Sequence, residues 1–213
     1  MTAVVGAVLV GGQSRRMGEP KALVELAGEA LAARVAAVLV GGGADRIALV
    51  GGDRALAQSL DLSNVVDDWE ILPDRWTGIG PLGGLATALF GAAARNEAIV
   101  VVAACDQPDL TSGLVAQLIG ALERAGPDVL GASVVTPDGR RHPFPSAWRS
   151  SAAPMVQAAI ERGERRADAA FGIGPVVGIE AALASLIDLD TPDDLQRWRE
   201  MHRVAQEPPE NRP

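Results

Sequence analysis

Two short runs without one polar side chain, Val4–Val10 and Ala98–Ala104, constrain this chain more than any other feature. A strand with one wet face alternates apolar and polar residues, whereas a strand buried on both faces does not. Both runs therefore read as central strands of a sheet covered on two sides. Around them, extended and helical patterns take turns. Glu29–Leu39 has helical spacing closed by Gly41-Gly42-Gly43, and Arg46–Val50 is a second short strand. Val65-Val66 and Ile71-Leu72 read as short extended pieces, and Pro81 opens a helix running to Ala94. Thr111 caps a helix that ends near Arg124. Val129–Val135 and His142–Trp148 are extended on either side of the turn Thr136-Pro137-Asp138-Gly139. Helices are expected over Ser151–Arg162 and Arg166–Phe171, strands over Val176–Ile179 and Leu186–Leu189, and a last helix after Thr191-Pro192. This alternation predicts an α/β fold: a single-domain three-layer αβα arrangement, Rossmann-like, with a mainly parallel sheet and helices on both faces. The expected domain spans 1–205, with 206–213 a flexible polar tail. Ligands of such sheets bind beyond the carboxyl ends of the strands, where the strand order reverses.

At the end of the first run the chain continues Gly11-Gly12-Gln13-Ser14-Arg15-Arg16-Met17-Gly18-Glu19-Pro20-Lys21. Paired glycines let the backbone turn freely and let a ligand approach the main chain. Arg15, Arg16 and Lys21 add positive charge to a chain whose net charge is −8. Backbone N–H groups and fixed cations together suit a polyphosphate. The plainer alternative is an ordinary glycine turn with its cations in water. The spacing matches neither a Walker A loop nor the dinucleotide fingerprint.

The second run delivers Cys105-Asp106-Gln107-Pro108 at its carboxyl end. A carboxylate there can hold Mg²⁺ beside phosphates, because Mg²⁺ takes oxygen ligands and often only one or two from protein. Capping the following helix is the other reading of Asp106, although Asp109 or Thr111 can fill that place. Cys105 reads as a small buried residue. Gly78-Ile79-Gly80-Pro81-Leu82-Gly83 matches Gly-x-Gly-x-x-Gly on paper, yet it follows no clear strand and contains proline. It reads as a loop packed against a ligand or a helix start.

A 213-residue chain with 48% apolar but only 3% aromatic residues builds an aliphatic core. Its acidity argues against a nucleic-acid surface. One cysteine allows no internal disulfide, and with only His142 and His202 no Cys/His zinc cluster can form. That fits a cytoplasmic setting. The start has no leader pattern, and no apolar run reaches the roughly 18 residues of a membrane helix, so neither export nor membrane insertion is expected.

Several of these segments resemble the motifs of one family, the molybdenum cofactor guanylyltransferases within the nucleotidyltransferases. They are Leu9-Val10-Gly11-Gly12 with Arg16-Met17-Gly18 and Lys21, Gly80-Pro81-Leu82-Gly83-Gly84, Cys105-Asp106-Gln107-Pro108, and Leu189-Asp190-Thr191-Pro192-Asp193-Asp194-Leu195. The resemblance runs along nearly the whole chain, and His142-Pro143 and Gly163-Glu164-Arg165-Arg166 are similar to the molybdopterin branch. It implies transfer of GMP from GTP to molybdopterin with release of pyrophosphate, with Mg²⁺ as cofactor. Proteins that insert molybdenum or accept the finished cofactor are the implied partners. Leu9, Val10, Gly11 and Gly12 are expected to hold base and ribose by main chain. Arg16 and Lys21 counter phosphate charge, and Asp106 holds the metal. Asp74 (with Asp68 as rival) lies on the nucleotide or metal, and His142, Arg165 and Arg166 are expected to face the pterin phosphate. Where the family often has Asn after the second strand, this chain has Gly51-Gly52, so backbone replaces a side-chain contact there or the contact is lost. The competing expectations are cytidylyl transfer to molybdopterin, transfer to another acceptor such as a sugar phosphate, and a nucleotide-binding regulator without chemistry.

Overall fold

The computed structural model describes residues 2–11, 20–60, 62–182 and 186–203. Gly12, Arg15, Arg16 and the tail 206–213 lie outside the described residues. In chain order the elements are β1 (Val4–Leu9), β2 (Glu25–Leu26), β3 (Glu29–Ala30), α1 (Leu31–Gly41), β4 (Arg46–Val50), α2 (Arg54–Ser59), β5 (Trp69–Leu72) and α3 (Pro81–Ala94). They continue with β6 (Ile99–Ala104), α4 (Ser112–Arg124), β7 (Gly131–Val135), β8 (Arg141–Arg149), α5 (Ala153–Glu161), β9 (Val176–Glu180) and α6 (Pro192–Arg203).

Seven strands form one sheet in the order β5-β4-β1-β6-β8-β7-β9. The central strands show why their sequences lack polar residues. In β1, Val4 and Val8 face one core while Val5 and Ala7 face the other. In β6, Ile99, Val101 and Ala103 point one way and Val100 and Val102 the other. Helices α1 and α4 cover the first face through Val35, Leu39, Leu114 and Leu118. Helices α3 and α5 cover the second through Leu82, Leu85, Leu89 and Val156. The fold is the expected α/β arrangement of three layers.

Four strand pairs are parallel, and β8 runs antiparallel to both β6 and β7. Because β8 is reversed, its beginning lies beside the end of β6. Its register against β7 jumps from Ser133↔Ser146 to Val134↔His142, so residues 143–145 leave the ladder. Pro143 and Pro145 have no N–H to offer a ladder, which suits them to that bulge.

Four local expectations need correction. Leu186–Leu189 is not a strand. Its Leu189 N–H donates to Asp106 O at 2.9 Å, and its side chain packs with Val24, Leu26, Leu31 and Trp198, which keeps the segment off the sheet. Val65 and Val66 sit in a turn, both N–H groups donating to Leu62 O. Glu29-Ala30 pairs with Glu25-Leu26 across Ala27 (φ 52°) and Gly28 (φ 82°), so the helix begins only at Leu31. Arg166–Phe171 is a 3-10 turn, Ala167–Gly172. One helix was unanticipated: α2, capped by the Asp53 carboxylate accepting from Leu56 N–H at 2.9 Å.

Candidate functional site

Strand order reverses between β1 and β6, since the chain proceeds from β1 outward to β4 and β5 before returning to the other side of β1. A cleft of about 740 Å³ opens at the carboxyl ends of those strands. Every sequence-expected nucleotide or metal residue that is described lines it: Leu9, Val10, Gly11, Lys21, Gly51, Asp74 and Asp106. Gly12 and Arg16 lie outside the described residues.

One wall is main chain. Val10 and Gly11 N–H groups both donate to Val50 O at 2.9 and 3.1 Å, and Gly51 N–H donates to Leu72 O at 2.9 Å. Gly51 has φ +84°, and a Cβ on it would sit 2.7 Å from Gly11 Cα. An asparagine side chain has no room at position 51 while Gly11 holds this place. Bare backbone therefore faces the cleft there.

The opposite wall comes from the loop before α3. Gly78 and Gly80 both have φ of 80°, open to glycine and strained for other residues, and Gly80 is the residue before Pro81 at the helix start. The Gly-x-Gly-x-x-Gly string is thus a helix start lining a cleft. Asp74 anchors this loop: its Oδ1 accepts from Trp76 N–H at 3.1 Å and lies 3.3 Å from the Thr87 hydroxyl. Asp68 precedes β5, at the far end of the sheet, and pairs with Arg95 at 3.4 Å. Of the two rivals, Asp74 is the one in the cleft.

The floor carries the charge. Lys21 Nζ lies 2.8 Å from Asp106 Oδ2 and 2.6 Å from Asp190 Oδ1. Burial pulls the ammonium pKa down, but hydrogen bonds and charge from Asp106 and Asp190 outweigh it and leave it raised. Asp188 stands close by and accepts from Gln107 Nε2 at 3.1 Å. Burial first, then the Asp106 charge, pushes its carboxyl up to about 6. Cys105 is buried, and burial followed by the Asp106 charge raises its thiol to about 12, so it is neutral and inert as expected.

Asp188 and Phe144 escaped the sequence reading, and Asp190 stood in it only within a family motif, with no site role. The alternation Ile187-Asp188-Leu189-Asp190 was the available signal: buried Leu189 sends its two neighbours to the other side. Phe144 reaches the cleft through the β8 bulge. His142, Arg165 and Arg166 are not among the described residues lining the cleft. His142 sits 3.4 Å from the Thr136 hydroxyl, its pKa lowered by burial and by Arg140. Arg165 is tied to the carbonyls of Ile160 and Glu164, and Arg166 forms an exposed pair with Asp168.

The profile of the MobA-like NTP transferase domain matches residues 6–172. The chain belongs to that family. It is similar to a molybdenum cofactor guanylyltransferase of Rhodobacter capsulatus, 32% identical over 91% of this chain and 94% of the relative. A probable molybdenum cofactor guanylyltransferase of Opitutus terrae is 37% identical over 77% of this chain and 75% of its own length. Among solved structures, molybdopterin-guanine dinucleotide biosynthesis protein A from Archaeoglobus fulgidus superposes with a TM-score of 0.72. It is 28% identical, covering 94% of this chain and 99% of that one. This MobA-like chain is an enzyme of the nucleotidyltransferase class. Among the described residues no helix is long and apolar enough to cross a membrane.

Proposed function

We propose that the enzyme transfers GMP from GTP to molybdopterin, releasing pyrophosphate and forming the guanine dinucleotide cofactor. The observation that carries this reading is the meeting of Lys21 and Asp106, 85 residues apart in sequence, where the strand order reverses between β1 and β6. The guanylyltransferase relatives supply the base and the acceptor.

In the reaction, a terminal phosphate oxygen of molybdopterin attacks the α-phosphorus of GTP. A new P–O bond forms, the bond to the bridging α–β oxygen breaks, and its electron pair leaves with pyrophosphate. A phosphate is already anionic at neutral pH, so no Ser or Cys nucleophile is required, and alignment with charge neutralisation supplies the catalysis. Main chain at Leu9, Val10, Gly11 and Gly51 holds the nucleoside, and the loop from Asp74 to Gly80 closes the other side. Lys21 counters charge on the phosphates and on the departing pyrophosphate. Arg16 has the same role by its place in the motif.

The donor set fits a hard divalent cation. Asp106 and Asp190 present carboxylate oxygens to a shared positive centre, and Asp188, held by Gln107 Nε2 at 3.1 Å, stands close by. Among the described residues no group of three His, Cys, Asp or Glu is placed to hold a metal ion by itself, so phosphate oxygens would have to complete its coordination. Mg²⁺ held at Asp106 supplies Lewis-acid polarisation of the phosphoryl oxygens.

Pyrophosphate release on mixing enzyme, GTP, Mg²⁺ and molybdopterin tests the reaction. A thermal-shift competition of GTP, CTP, ATP and UTP with Mg²⁺ tests the base. No pyrophosphate with GTP, or a preference for CTP, overturns the assignment.

A further inference from the structure

We propose that Lys21 is a built-in counter-cation: its ammonium occupies Asp106 and Asp190 until a triphosphate draws it away, so these carboxylates accept a divalent cation with the nucleotide and not before it. The inference rests on the nucleotidyl-transfer reading and adds an order of events to it.

The geometry makes the two cations competitors. One ammonium bridges Asp106 Oδ2 at 2.8 Å and Asp190 Oδ1 at 2.6 Å. These residues come from three separate parts of the chain, so no local turn forces the contact. Lys21 and Asp106 are each only 17% exposed, and in such surroundings charges act on one another far more strongly than in water. An ammonium and a divalent ion sharing one carboxylate at this range repel each other. Lys21 is also the one cationic side chain among the described residues lining the cleft, set against Asp106, Asp190 and nearby Asp188. If it moves away with nothing in its place, Asp106 and Asp190 lose the cation they share.

A triphosphate resolves this conflict. Its oxygens are a richer acceptor for an ammonium than two carboxylates, and the flexible lysine stem lets the charge follow them. Asp190 is 60% exposed, so its contact with Lys21 is open to an incoming ligand from the solvent side. Lys21 then neutralises phosphate, and Asp106 is released. Binding of nucleotide and of metal are coupled through a single side chain, and such coupling is reciprocal.

The test is the binding of Mn²⁺ alone, without nucleotide, followed by the loss of its free-ion electron spin resonance signal. Wild type, Lys21→Gln, Lys21→Met and Lys21→Arg are compared, with Lys21→Gln/Asp106→Asn to locate the ion. Removing one positive charge at contact range is expected to tighten Mn²⁺ binding by roughly tenfold or more in the Gln and Met variants. Lys21→Arg stays close to wild type, and the double variant loses the gain. The proposal is overturned if the neutral variants bind Mn²⁺ no more tightly than wild type, or if wild type alone takes up one equivalent as tightly as they do. Either result leaves GTP-dependent pyrophosphate release by wild type standing, so failure here is distinct from failure of the proposed reaction.

Discussion

The two ends of the sheet each hold an ion cluster, and they are built on opposite plans. At the amino ends of the parallel strands, Arg46 opens β4 and pairs with Glu97 and, at 2.6 Å, with Glu70. Arg95 approaches Glu97 at 3.5 Å. The Arg46 and Glu97 side chains are 5% and 10% exposed, and positive and negative groups are matched. At the carboxyl ends, Lys21 is the one cation among the described residues lining the open cleft, and it contacts two carboxylates, Asp106 and Asp190. The first cluster sets charge against charge, with Arg46 Nη1 and Glu97 Oε2 buried and without a hydrogen-bond partner, whereas the second, among the described residues, sets more carboxylates than cations beside the large cleft. Buried charge by itself therefore does not mark the functional end; the end at the strand-order reversal is marked by carboxylates and a lysine brought together at the mouth of the larger cleft.

The largest expected effect is at the closed cluster. Arg46→Met strips Glu97 and Glu70 of their main cation, and breaking a buried pair by removing one partner costs about 3–5 kcal/mol. Denaturant unfolding should register the loss in full, while kcat per folded molecule stays near wild type. A selective loss of turnover without loss of stability would erase the contrast between the two ends. Next comes Asp106→Asn, which keeps shape and removes charge. Loss of one preorganised electrostatic group costs roughly 2.7–4 kcal/mol, or about 10²–10³ in turnover. The expected unfolding midpoint is close to wild type, and normal turnover would refute the role given to Asp106.

How much of this was readable beforehand follows from where information lies along the chain. Strands β1 and β6 were legible because both their faces are buried, leaving no polar residue to blur the run. Pro81 and Thr111 marked their helices because proline and a capping hydroxyl act locally; the Thr111 hydroxyl accepts from Leu114 N–H at 3.3 Å. Lys21 and Asp106 could be paired in advance because each follows a central strand. The reversed insertion of β8 between β6 and β7 was not legible, since strand direction depends on pairing and not on local pattern. Phe144 was hidden for that reason. Asp188, and the role of Asp190, were hidden because their position depends on Leu189 packing with Leu26 and Leu31, far away in sequence, and with Trp198. Arg46 and Glu97 flank their strands as surface charges do, and only the fold buries them.

A smaller effect tests the backbone wall of the cleft. Gly51→Ala places a Cβ where φ is +84° and where Gly11 Cα stands 2.7 Å away. Forcing an alanine into the left-handed region costs about 1–2 kcal/mol, and relief of the contact displaces Gly11. The expected signature is a raised KM for GTP with kcat changed less, alongside a modest drop in stability. A variant with wild-type KM would show that this main-chain contact does not shape the nucleotide site.

The smallest expected effect separates the two aspartates that flank β5. Asp68 pairs with Arg95 at 3.4 Å with both side chains well exposed, and such surface pairs contribute about 0–1 kcal/mol. Asp68→Ala should leave stability and nucleotide KM nearly unchanged. Asp74→Ala, six residues on, removes the acceptor of Trp76 N–H and loosens the loop that carries Thr77, Gly78 and Gly80 along the cleft. Its nucleotide KM should rise while Asp68→Ala stays flat, because β5 carries the chain from one end of the sheet to the other between these residues. Equal responses from the two variants would mean that the loop before α3 does not hold nucleotide, and that the cleft is bounded functionally by β1, β4 and β6 alone.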